Sequence, residues 1–442
     1  MEETLIDKTI ALCPECLAPL PATISADGEG VVWMDRTCEE HGRTRTRIWP
    51  DAEHYRWLQS LALPKTPPRA NCAAGAPCPL GCGTCSRHER RGTLLEIEVT
   101  RACNLHCPVC FMSAEDPTGD PSLEEIAAMY EVIADAVGTD GAVQLTGGEP
   151  TCRKDLPEII RMGRERGFWG IEVNTNGLVI ASRPGYLETL VEAGLTGVYL
   201  SFDGTTGDVY EATCGRDILD VKLAAIERCR EAGIQVVLSV AVLSGVNDGQ
   251  LGDLLRFSLE NADVVAGLAL QPAFTSGRFE ADREGALTAG DVIFKMAEQS
   301  EGLIEARDFW PLGCSNPLCD TGLFLVRDQR GADERYHPWG FYPATKVLAY
   351  DEYREAYNPD SPQGSVIPDI LASRGVAVAD GLSIIVMNYM DANTMDIQRM
   401  RECSMMVTVP DGRAIPFCSY HLTDGAGRRV YAPWCKEELR NR

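Results

Sequence analysis

The sequence contains no long apolar run and comparatively few basic residues. No stretch approaches the roughly 18 apolar residues that a membrane-spanning helix needs. The amino terminus, Met-Glu-Glu-Thr-Leu-Ile-Asp, shows neither the basic start nor the apolar segment of a secretory signal. With 41 Lys and Arg residues against 65 Asp and Glu, the formal net charge is −24, which argues against general binding to nucleic acids or anionic membranes. We therefore expect a cytoplasmic protein without a membrane span.

Cysteine is the abundant exception, with 18 residues in a chain of 442. Disulfide frameworks are typical of small secreted domains, so thiols in a long chain without a secretion signal are better interpreted as metal ligands. Cys152, Cys214, Cys229 and Cys435 stand alone and are interpreted as small buried apolar residues. The other cysteines form four groups: Cys13, Cys16 and Cys38, with His41 nearby; Cys72, Cys78, Cys82 and Cys85; Cys103, Cys107 and Cys110; and Cys314, Cys319, Cys403 and Cys418.

From residue 94 onward, short apolar strand-like segments alternate with helix-like segments, until the alternation fades after residue 275. Strands that recur about every 30 residues are typical of βα units and a parallel sheet. Six units are too few for a closed eight-unit barrel, so we predict an α/β fold with a partial (β/α)6 barrel. Ser122 and Glu125 form a capping box at the first helix start. Predicted strands are 94–99, 143–145, 171–174, 198–202, 236–242 and 267–271; predicted helices are 122–137, 155–166, 186–193, 221–232 and 250–260.

Cys103, Cys107 and Cys110 follow the first predicted strand, at the barrel face that carries chemistry in parallel barrels. Three thiolates this close can hold three irons of a four-iron cluster and leave the fourth iron open. An open coordination position on the metal distinguishes a reactive metal centre from a structural one. A zinc knuckle that lacks its fourth ligand is the alternative interpretation.

Three further motifs lie at successive predicted strand ends: Gly-Gly-Glu-Pro at 147–150, Asn-Thr-Asn-Gly at 174–177 and Ser-Phe-Asp-Gly at 201–204. Together with the cysteine triplet, they resemble the radical S-adenosylmethionine (SAM) superfamily. The resemblance implies reductive cleavage of SAM to a 5′-deoxyadenosyl radical, which abstracts hydrogen from an unactivated carbon. Glu149 and Asp203 have an alternative role as structural acids that cap the following helices. The residues implied to contact SAM are Gly147, Gly148, Glu149, Pro150, Asn174, Asn176, Ser201 and Asp203.

One position departs from the superfamily pattern. The residue before the third cysteine is usually aromatic, whereas here it is Val109 and an aromatic residue, Phe111, follows the cysteine instead. Stacking of the adenine ring on the usual position is therefore not expected.

The segments 13–41, 78–85 and 391–421 are similar to the tetraether lipid synthase family, also described as class D radical SAM methyltransferases. This similarity runs from about residue 10 to about residue 422. It implies a rubredoxin-like lobe in which Cys13, Cys16, Cys38 and His41 hold one zinc or iron. It also implies two auxiliary [4Fe–4S] clusters besides the catalytic one, held by Cys72, Cys78, Cys82 and Cys85 and by Cys314, Cys319, Cys403 and Cys418.

The residues themselves leave parts of this metal assignment open. A Cys3His set at this spacing is a closed tetrahedral site, so a structural zinc is favoured over electron transfer in the amino-terminal lobe. Zinc is also an alternative at residues 72–85, and His88 is an alternative ligand there if Cys72 is not one. A Pro-rich segment at 61–69 is interpreted as a linker. The predicted domains are a metal lobe at 1–60, an auxiliary cluster segment at 61–92, the barrel at 93–300, and a domain at 301–442 that carries the second auxiliary cluster and covers the substrate.

Three functional hypotheses follow. The preferred one is an enzyme of lipid biosynthesis that forms a carbon–carbon bond on a lipid hydrocarbon chain. The alternative is a methyltransferase that uses a folate-type one-carbon donor on a pterin or related small molecule. The third, an iron–sulfur electron carrier or scaffold, has no use for the SAM motifs. Both enzymes require a low-potential electron donor such as ferredoxin or flavodoxin.

The substrate hypotheses predict different lining residues. A hydrocarbon tunnel has candidate lining at 268–270, Phe274, 309–310, 323–326 and 384–387, although core packing is the ordinary role of such residues. A pterin ring edge could instead meet Asn388 and Asp391, which are alternatively turn residues. Peripheral membrane contact is conceivable through the basic stripe at Arg36, Arg43, Arg45 and Arg47, which is alternatively a solvated strand face.

Overall fold

The computed structural model describes residues 3–69, 78–81, 83–113, 119–279, 285–327, 337–359, 367–376 and 381–431. Three cysteines, the predicted ligands Cys72 and Cys82 and the solitary Cys435, lie outside the described residues. Within the described ranges, no helix is both long enough and apolar enough to cross a membrane.

The amino-terminal lobe is a four-stranded antiparallel sheet followed by one helix. The sheet keeps Val32, Met34 and Trp49 buried on one face. The helix begins where the Asp51 side chain accepts a hydrogen bond from the His54 backbone amide, as expected of an N-cap. The elements are β1 (Thr4–Leu12), β2 (Pro19–Ala26), β3 (Val32–Cys38), β4 (Gly42–Trp49) and α1 (Ala52–Ser60).

The central region is the predicted partial barrel, and each of the six predicted strands is present. They lie side by side in the order β5-β7-β8-β9-β10-β11, and all neighbouring pairs are parallel. The predicted capping box of Ser122 and Glu125 begins the first barrel helix. The elements are β5 (Leu94–Thr100), β6 (Val109–Cys110), α2 (Leu123–Val137), β7 (Ala142–Gly147), α3 (Leu156–Glu165), β8 (Gly170–Thr175), α4 (Leu178–Ser182), α5 (Tyr186–Glu192), β9 (Gly197–Ser201), α6 (Gly207–Cys214), α7 (Leu219–Glu231), β10 (Val236–Val242), α8 (Leu251–Glu260), β11 (Val265–Pro272), β12 (Arg278–Phe279) and α9 (Ala289–Gln299).

The carboxy-terminal region extends the barrel sheet at both edges, which the fading sequence pattern did not predict. Its strand β16 pairs in parallel with β11, and β17 pairs in parallel with β5. Eight consecutive parallel strands result, and in the described residues β16 and β17 do not pair with each other. The elements are β13 (Trp310–Pro311), β14 (Asp320–Arg327), β15 (Phe341–Pro343), α10 (Tyr350–Ala356), α11 (Ile367–Ser373), β16 (Leu382–Met387), α12 (Ile397–Arg401), β17 (Met405–Thr408), β18 (Ala414–Pro416) and α13 (Phe417–Tyr420).

Residue alternation along the barrel strands separates the core from the lumen. In β5, Leu95, Ile97 and Val99 point to the main hydrophobic core beneath the helices. Glu96 and Glu98 alternate with them, so both carboxyl groups point to the opposite, lumen side of the strand. Because both faces of a parallel strand are usually apolar, two acidic residues on one strand mark this lumen as a polar one.

The Pro-rich segment at 61–69 is packed against the protein rather than free. Leu63 is buried against Trp310 and Tyr353. The buried guanidinium group of Arg90 donates hydrogen bonds to the carbonyl oxygens of Leu63 and Pro64, at 3.5 and 3.2 Å. The segment is therefore an extended connection that packs against the protein, and its carbonyl groups satisfy a buried arginine; the domain boundary near residue 60 stays a prediction.

All four residues of the predicted basic stripe are engaged within the chain. Arg36 is buried and donates to the carbonyl oxygens of Leu12 and Asn393. Arg47 forms a two-pronged ion pair with Asp291 at the start of α9, with N···O distances of 2.7 and 2.8 Å. The two remaining arginines pair within the lobe, Arg43 with Asp35 and Arg45 with both Glu3 and Asp35. The stripe therefore holds the lobe together and attaches it to the barrel.

The Arg47–Asp291 pair provides a test of this attachment. We expect Arg47→Ala to lower the free energy of unfolding by about 1–2 kcal/mol, because charge-assisted hydrogen bonds to a largely buried carboxylate are lost. Arg43→Ala is the matched control, and it should change the value by less than about 0.5 kcal/mol because that pair is exposed. Equal effects of the two substitutions in chemical denaturation would show that Arg47 has no special role in docking.

Candidate active site and metal centres

The amino-terminal metal site is formed by two turns of the lobe. Cys13 and Cys16 follow β1, whereas Cys38 and His41 lie in the turn between β3 and β4. The His41 Nδ1 atom lies 3.6 Å from the Cys13 sulfur and 3.5 Å from the Cys38 sulfur, and the Cys16 and Cys38 sulfurs are 4.0 Å apart. The four ligand atoms all lie within 4.8 Å of one another.

These distances fit a tetrahedral zinc ion. With Zn–S bonds of about 2.3 Å and a Zn–N bond of about 2.0 Å, a tetrahedron places sulfur and nitrogen about 3.5 Å apart and two sulfurs about 3.8 Å apart. A hydrogen bond from His41 lowers the pKa of the Cys38 thiol to about 6, which favours the thiolate that a metal binds. All four predicted ligands are therefore brought together, and the set is complete without a solvent position.

The central triplet lies in the loop after β5, and the structure brings its three thiols together at the mouth of the barrel. Burial raises the pKa of Cys103, with a further contribution from the charge of Cys110, and the charges of Cys110 and Cys103 contribute to the raised pKa of Cys107. For Cys107 the largest cause is a hydrogen bond with Cys214, followed by burial. The Leu105 backbone amide donates to the Cys103 sulfur at 3.4 Å. Three cysteines at this spacing that line one cavity fit the three ligands of a four-iron cluster with one open iron.

Two of the solitary cysteines differ in environment. Cys214 is buried, as predicted, but it lies beside Cys107 rather than in an unrelated part of the core. Cys152 is exposed, so its interpretation as a buried apolar residue is wrong. It follows Pro150 on a short 3-10 turn at the protein surface.

Gly147 and Gly148 allow two loops to meet at backbone distance. The Gly148 amide donates to the Thr100 carbonyl at 2.8 Å, and the Glu149 amide donates to the Ala102 carbonyl at 2.7 Å. A Cβ atom on Gly148 would collide with the Ala102 carbonyl, and one on Gly147, whose φ is +127°, would collide with that of Thr100. The glycine pair therefore attaches the end of β7 directly to the start of the cluster loop.

Glu149 joins the ends of β7 and β8 through its buried carboxylate. Its Oε1 atom accepts hydrogen bonds from the Thr151 amide and hydroxyl and from the Thr175 hydroxyl, at 3.1, 2.5 and 2.7 Å. Its Oε2 atom accepts one, from the Asn176 amide at 2.7 Å. The structural role considered for Glu149 is therefore present. Since a carboxylate oxygen can accept more than one bond, Oε2 can still accept a hydrogen bond from a ligand.

Four further residues predicted to contact SAM line the same cavity at the ends of β8 and β9, whereas Pro150 is buried in the short turn after β7 and is not part of the lining. The Asn176 side chain donates to Asn104 Oδ1, inside the cluster loop, at 2.7 Å. Asp203 is buried, and its Oδ1 atom accepts from the Ala241 amide at 3.0 Å. Burial raises the pKa of Asp203, whereas that bond and the nearby Lys222 lower it. The lining includes the three cluster cysteines and Gly147, Gly148, Glu149, Asn174, Asn176, Ser201 and Asp203.

Lys222, on α7, supports this region and was not singled out from the sequence. Its ammonium group is fully buried and donates to the Asn176 carbonyl and the Ser201 hydroxyl, each at 2.8 Å. It therefore links the ends of β8 and β9 from beneath. A lysine in a helix is ordinarily predicted to be exposed to solvent. The one feature of the sequence that indicated burial of Lys222 is its position on the apolar face of α7.

The cavity continues from the cluster loop into the barrel lumen, with a volume of about 260 Å³. Its deeper lining is polar: Gln144 donates to Glu172 at 3.1 Å, and Gln271 donates to Ser239 at 3.2 Å. On the side of the carboxy-terminal region the lining becomes aromatic and sulfur-rich. The lumen residues that sequence reasoning missed are Glu96, Gln144, Tyr199, Ser239 and Gln271.

Most of the apolar residues considered for a hydrocarbon tunnel belong to the core instead. Leu268, Leu270, Phe309, Leu323, Leu325, Ile384 and Val386 are buried in the main core, and Trp310, Phe324 and Val326 in a second one. Only Phe274 and Met387 from those predicted segments line the cavity. The tunnel prediction is wrong because alternate residues of a strand point to opposite faces, and the larger apolar ones face the helices.

Asn388 and Asp391, predicted to meet a ring edge, have structural roles. The Asn388 side chain donates to the Leu318 carbonyl at 2.9 Å. The Asp391 carboxylate accepts from the backbone amides of Asn393 and Thr275, at 2.9 and 3.0 Å. Asp391 therefore shapes the turn after β16, which was the alternative interpretation.

An aromatic cluster forms one wall of the cavity. The rings of Tyr389 and Phe417 stack with centroids 4.4 Å apart, and Phe274 contacts both Tyr389 and Phe111. Val109, at the position that is usually aromatic, also lines the cavity and pairs with Phe279 in the β6–β12 ladder. Phe111 thus belongs to the wall that the carboxy-terminal region builds.

Only Cys78 and Cys85 of the first auxiliary set lie within the described residues, so its four-ligand arrangement stays a prediction. Cys85 is buried and Cys78 is partly buried. His88 is buried, and its Nε2 atom donates to the Cys403 carbonyl at 2.7 Å. The ring is therefore engaged in joining the two auxiliary regions, which disfavours the alternative in which His88 is a cluster ligand.

In the second auxiliary set, Cys319, Cys403 and Cys418 come together from three segments. Burial, followed by the nearby thiols of Cys418 and Cys319, raises the pKa of Cys403. The Arg399 Nη2 atom donates to the Cys319 sulfur at 3.3 Å. Burial also raises the pKa of the Cys314 thiol, to about 11. Three of the four predicted ligands thus form a compact thiol group.

The contact between β7 and the cluster loop can be tested through Gly148. We expect Gly148→Ala to lower the iron bound at the triplet by more than half, because the added methyl group displaces the Ala102 carbonyl and with it the loop. Gly249→Ala is the matched control, since a Cβ atom there has no heavy atom within 4 Å. Iron analysis and visible absorption of anaerobically reconstituted protein measure the result; equal loading of both variants would contradict the expectation.

The amino-terminal site can be tested by metal counting. Cys38→Ser should remove one zinc per chain while leaving iron unchanged, because the thiolate completes the tetrahedral set. Cys229→Ala removes a buried cysteine far from any ligand group and should change neither metal. Retention of zinc by Cys38→Ser, measured by elemental analysis, would mean that these four residues do not form the site.

Comparison with known proteins supports this arrangement. Residues 97–258 match the family model of the Radical SAM superfamily, and residues 5–50 match that of the HMPTM N-terminal zinc ribbon domain. The amino-terminal lobe is therefore a zinc ribbon, in agreement with the structural-zinc interpretation.

Relatives match over different lengths. The chain is 31% identical to the 7,8-dihydro-6-hydroxymethylpterin dimethyltransferase of Methanocaldococcus jannaschii, over 94% of this chain and 93% of that protein. It is 38% identical to the probable GTP 3′,8-cyclase of Archaeoglobus fulgidus, but over 38% of this chain and 54% of that protein. Among solved structures, Streptococcus suis SuiB bound to precursor peptide SuiA aligns at a TM-score of 0.42 and 14% identity, over 70% of this chain and 71% of that one.

The match to the dimethyltransferase extends from the zinc ribbon to the carboxy-terminal region, whereas the cyclase match covers about half of that relative. The chain therefore belongs to the radical SAM enzymes, which use S-adenosylmethionine and a [4Fe–4S] cluster, and within them to the class D radical SAM methyltransferase family.

Proposed function

We propose that the protein is a radical SAM methyltransferase that acts on a reduced pterin or a closely related planar heterocycle. The observation that carries the proposal is the polar lumen beneath the cluster loop, lined by Glu96, Gln144, Asn174 and Gln271. Similarity to a pterin dimethyltransferase along nearly the whole chain supports it. This is the alternative of the two enzyme hypotheses drawn from the sequence.

The same lumen argues against a hydrocarbon substrate. A lipid chain placed beside these side chains would remove water from carboxyl and amide groups without offering hydrogen bonds, at a cost of about 1–3 kcal/mol for each group. A heterocycle with ring nitrogens and an exocyclic amino group offers donors and acceptors to the same residues. The relatives likewise give no support to a role in lipid biosynthesis.

We assign roles at the reaction centre as follows. Cys103, Cys107 and Cys110 hold the catalytic cluster, and the residues at the ends of β7, β8 and β9 hold S-adenosylmethionine. When bound, this pair supplies reductive cleavage of the sulfonium and abstraction of a hydrogen atom from carbon. Glu149 holds the strand ends in register and offers Oε2 as an acceptor, and Lys222 keeps Asn176 and Ser201 in place. The carboxy-terminal region closes the lumen and excludes water from it.

The remaining assignments are part of the same proposal. Two auxiliary [4Fe–4S] clusters, at residues 72–85 and around Cys319, Cys403 and Cys418, pass electrons, and a low-potential donor such as ferredoxin or flavodoxin supplies them. The methyl carbon comes from a folate-type one-carbon donor. The zinc ribbon stabilises the lobe and takes no part in electron transfer.

The test is an anaerobic assay of the reconstituted enzyme with SAM, a strong reductant and 7,8-dihydro-6-hydroxymethylpterin. We expect 5′-deoxyadenosine and, once a one-carbon donor is supplied, a product heavier than the substrate by one or two methylations. Cys107→Ala should abolish 5′-deoxyadenosine formation, and Cys229→Ala should preserve it. A wild-type enzyme that cleaves SAM but leaves the pterin unchanged with every one-carbon donor tried would contradict the proposed substrate class.

A further inference from the structure

Glu96 occupies an unusual position in the lumen. It lies on β5, beside Gln144 of β7 in the strand register, and its side chain lines the cavity that begins at the cluster loop. It is 4% exposed, yet its carboxylate has no hydrogen-bond partner among the described residues. A buried carboxyl group without a donor is costly to ionise, so a ligand that donates hydrogen bonds to it would stabilise its ionised form.

A second unsatisfied acceptor lies in the same lumen. Asn174 uses its amide nitrogen toward Gln144 at 3.4 Å, but its Oδ1 atom is buried without a hydrogen-bond partner in the described part of the chain. Gln144 bridges the two residues, because it neighbours Glu96 in register and contacts Asn174 and Glu172. The lumen therefore presents acceptors in excess of donors.

The charge of Glu96 is not balanced nearby. Burial, followed by repulsion from Glu98 on the same strand, raises the pKa of Glu96 to about 8. The Glu98 carboxylate differs, because its Oε2 atom accepts a hydrogen bond from the Tyr420 hydroxyl at 2.9 Å; burial raises the pKa of Glu98, and Arg429 and that hydrogen bond partly offset the increase. Of the two acidic residues of β5, only Glu96 both lines the cavity and lacks a donor.

Aromatic rings flank this carboxylate. The charge of Glu96 contributes to the raised pKa values of Tyr199 and Tyr389, after burial, so both hydroxyl-bearing rings lie near it. Tyr389 stacks on Phe417 and directs its hydroxyl to the sulfur atoms of Met387 and Met405, each at 3.4 Å. The environment therefore combines flat apolar surfaces with an acceptor at their edge, which suits a planar ring with N–H groups on its rim.

We propose that Glu96 recognises the 2-amino-4-oxopyrimidine edge of the substrate, whose ring N–H and exocyclic amino group are adjacent donors. A carboxylate accepts two parallel N–H bonds from such an edge, as it does from a guanidinium group. This inference rests on the proposed function and identifies the residue that would select the ring. Guanine carries the same edge as a pterin, so the recognition chemistry is shared by both.

The experiment measures binding to the anaerobically reconstituted holoenzyme with SAM present, using three probes. Pterin carries the donor edge, lumazine replaces its amino group with a carbonyl oxygen, and GTP carries the donor edge on a guanine. Glu96→Gln keeps the size of the side chain but places a donor where an acceptor is needed. Glu172→Gln is the matched control, because that neighbouring carboxyl already accepts a hydrogen bond from Gln144.

We expect the wild type to prefer pterin over lumazine by at least about tenfold, since a site built to pair polar groups rejects an analogue that lacks them. Glu96→Gln should weaken pterin binding about tenfold or more and bring the pterin-to-lumazine preference close to one, with SAM binding unchanged. Glu172→Gln should retain the preference. If Glu96→Gln only destabilises the protein, it should weaken the binding of pterin and of lumazine equally and leave the pterin-to-lumazine preference intact. That result would overturn the inference.

The outcomes separate the inference from the proposed function. If the wild type binds pterin and Glu96→Gln leaves the preference unchanged, the role of Glu96 is refuted and the pterin substrate stands. If the wild type prefers GTP over pterin and Glu96→Gln removes that binding, edge recognition stands and the substrate becomes a guanine nucleotide. Binding of none of the three probes refutes both.

Discussion

The architecture of the reaction centre depends on the backbone contact between the end of β7 and the start of the cluster loop. Two hydrogen bonds, from the amides of Gly148 and Glu149 to the carbonyl oxygens of Thr100 and Ala102, fix the start of the loop that carries the three cluster cysteines. Side chains are excluded from this contact, so the strand ends can approach closely and the Glu149 carboxylate can extend the connection to β8. The Asn176 side chain, at the end of β8, then donates a hydrogen bond to Asn104 in the cluster loop. These hydrogen bonds connect the end of β7, the end of β8 and the cluster loop to one another.

A second constraint is the division of each barrel strand into an outer apolar face and an inner face with different chemistry. The outer face packs beneath the helices and provides stability. Nearly all the large apolar residues of these strands lie on this face. The inner face was left free for function, and it carries acidic and amide groups on β5, β7 and β8. The carboxy-terminal region adds the aromatic wall. Two parts of the chain therefore contribute to the proposed substrate site. The barrel strands contribute polar side chains, and the carboxy-terminal region contributes aromatic rings.

Local motifs were predictable from the sequence, and long-range assembly was not. The six barrel strands, the capping box at Ser122 and the ligands of the zinc ribbon depend on residues close together in the chain, so their spacing carried the information. The placement of β16 and β17 depends on pairing between distant segments, and neither strand has a local signal for its partner. The position of Glu96 was indicated in the sequence, because acidic residues alternate with apolar ones along β5 and therefore lie on one face. The prediction of a uniformly apolar strand overlooked this alternation. Asn388 and Asp391 show the converse error, because polar residues at a turn resemble binding residues until their backbone partners are known.

The pairing of β17 with β5 joins segments from near the two ends of the chain. During synthesis, β5 and the cluster loop emerge early, but the strand that covers the free edge of β5 emerges only after most of the protein has been made. An uncovered edge of a parallel sheet is a site for wrong pairing and aggregation. The edge of the strand that carries the cluster loop is therefore covered only when the carboxy-terminal region is in place.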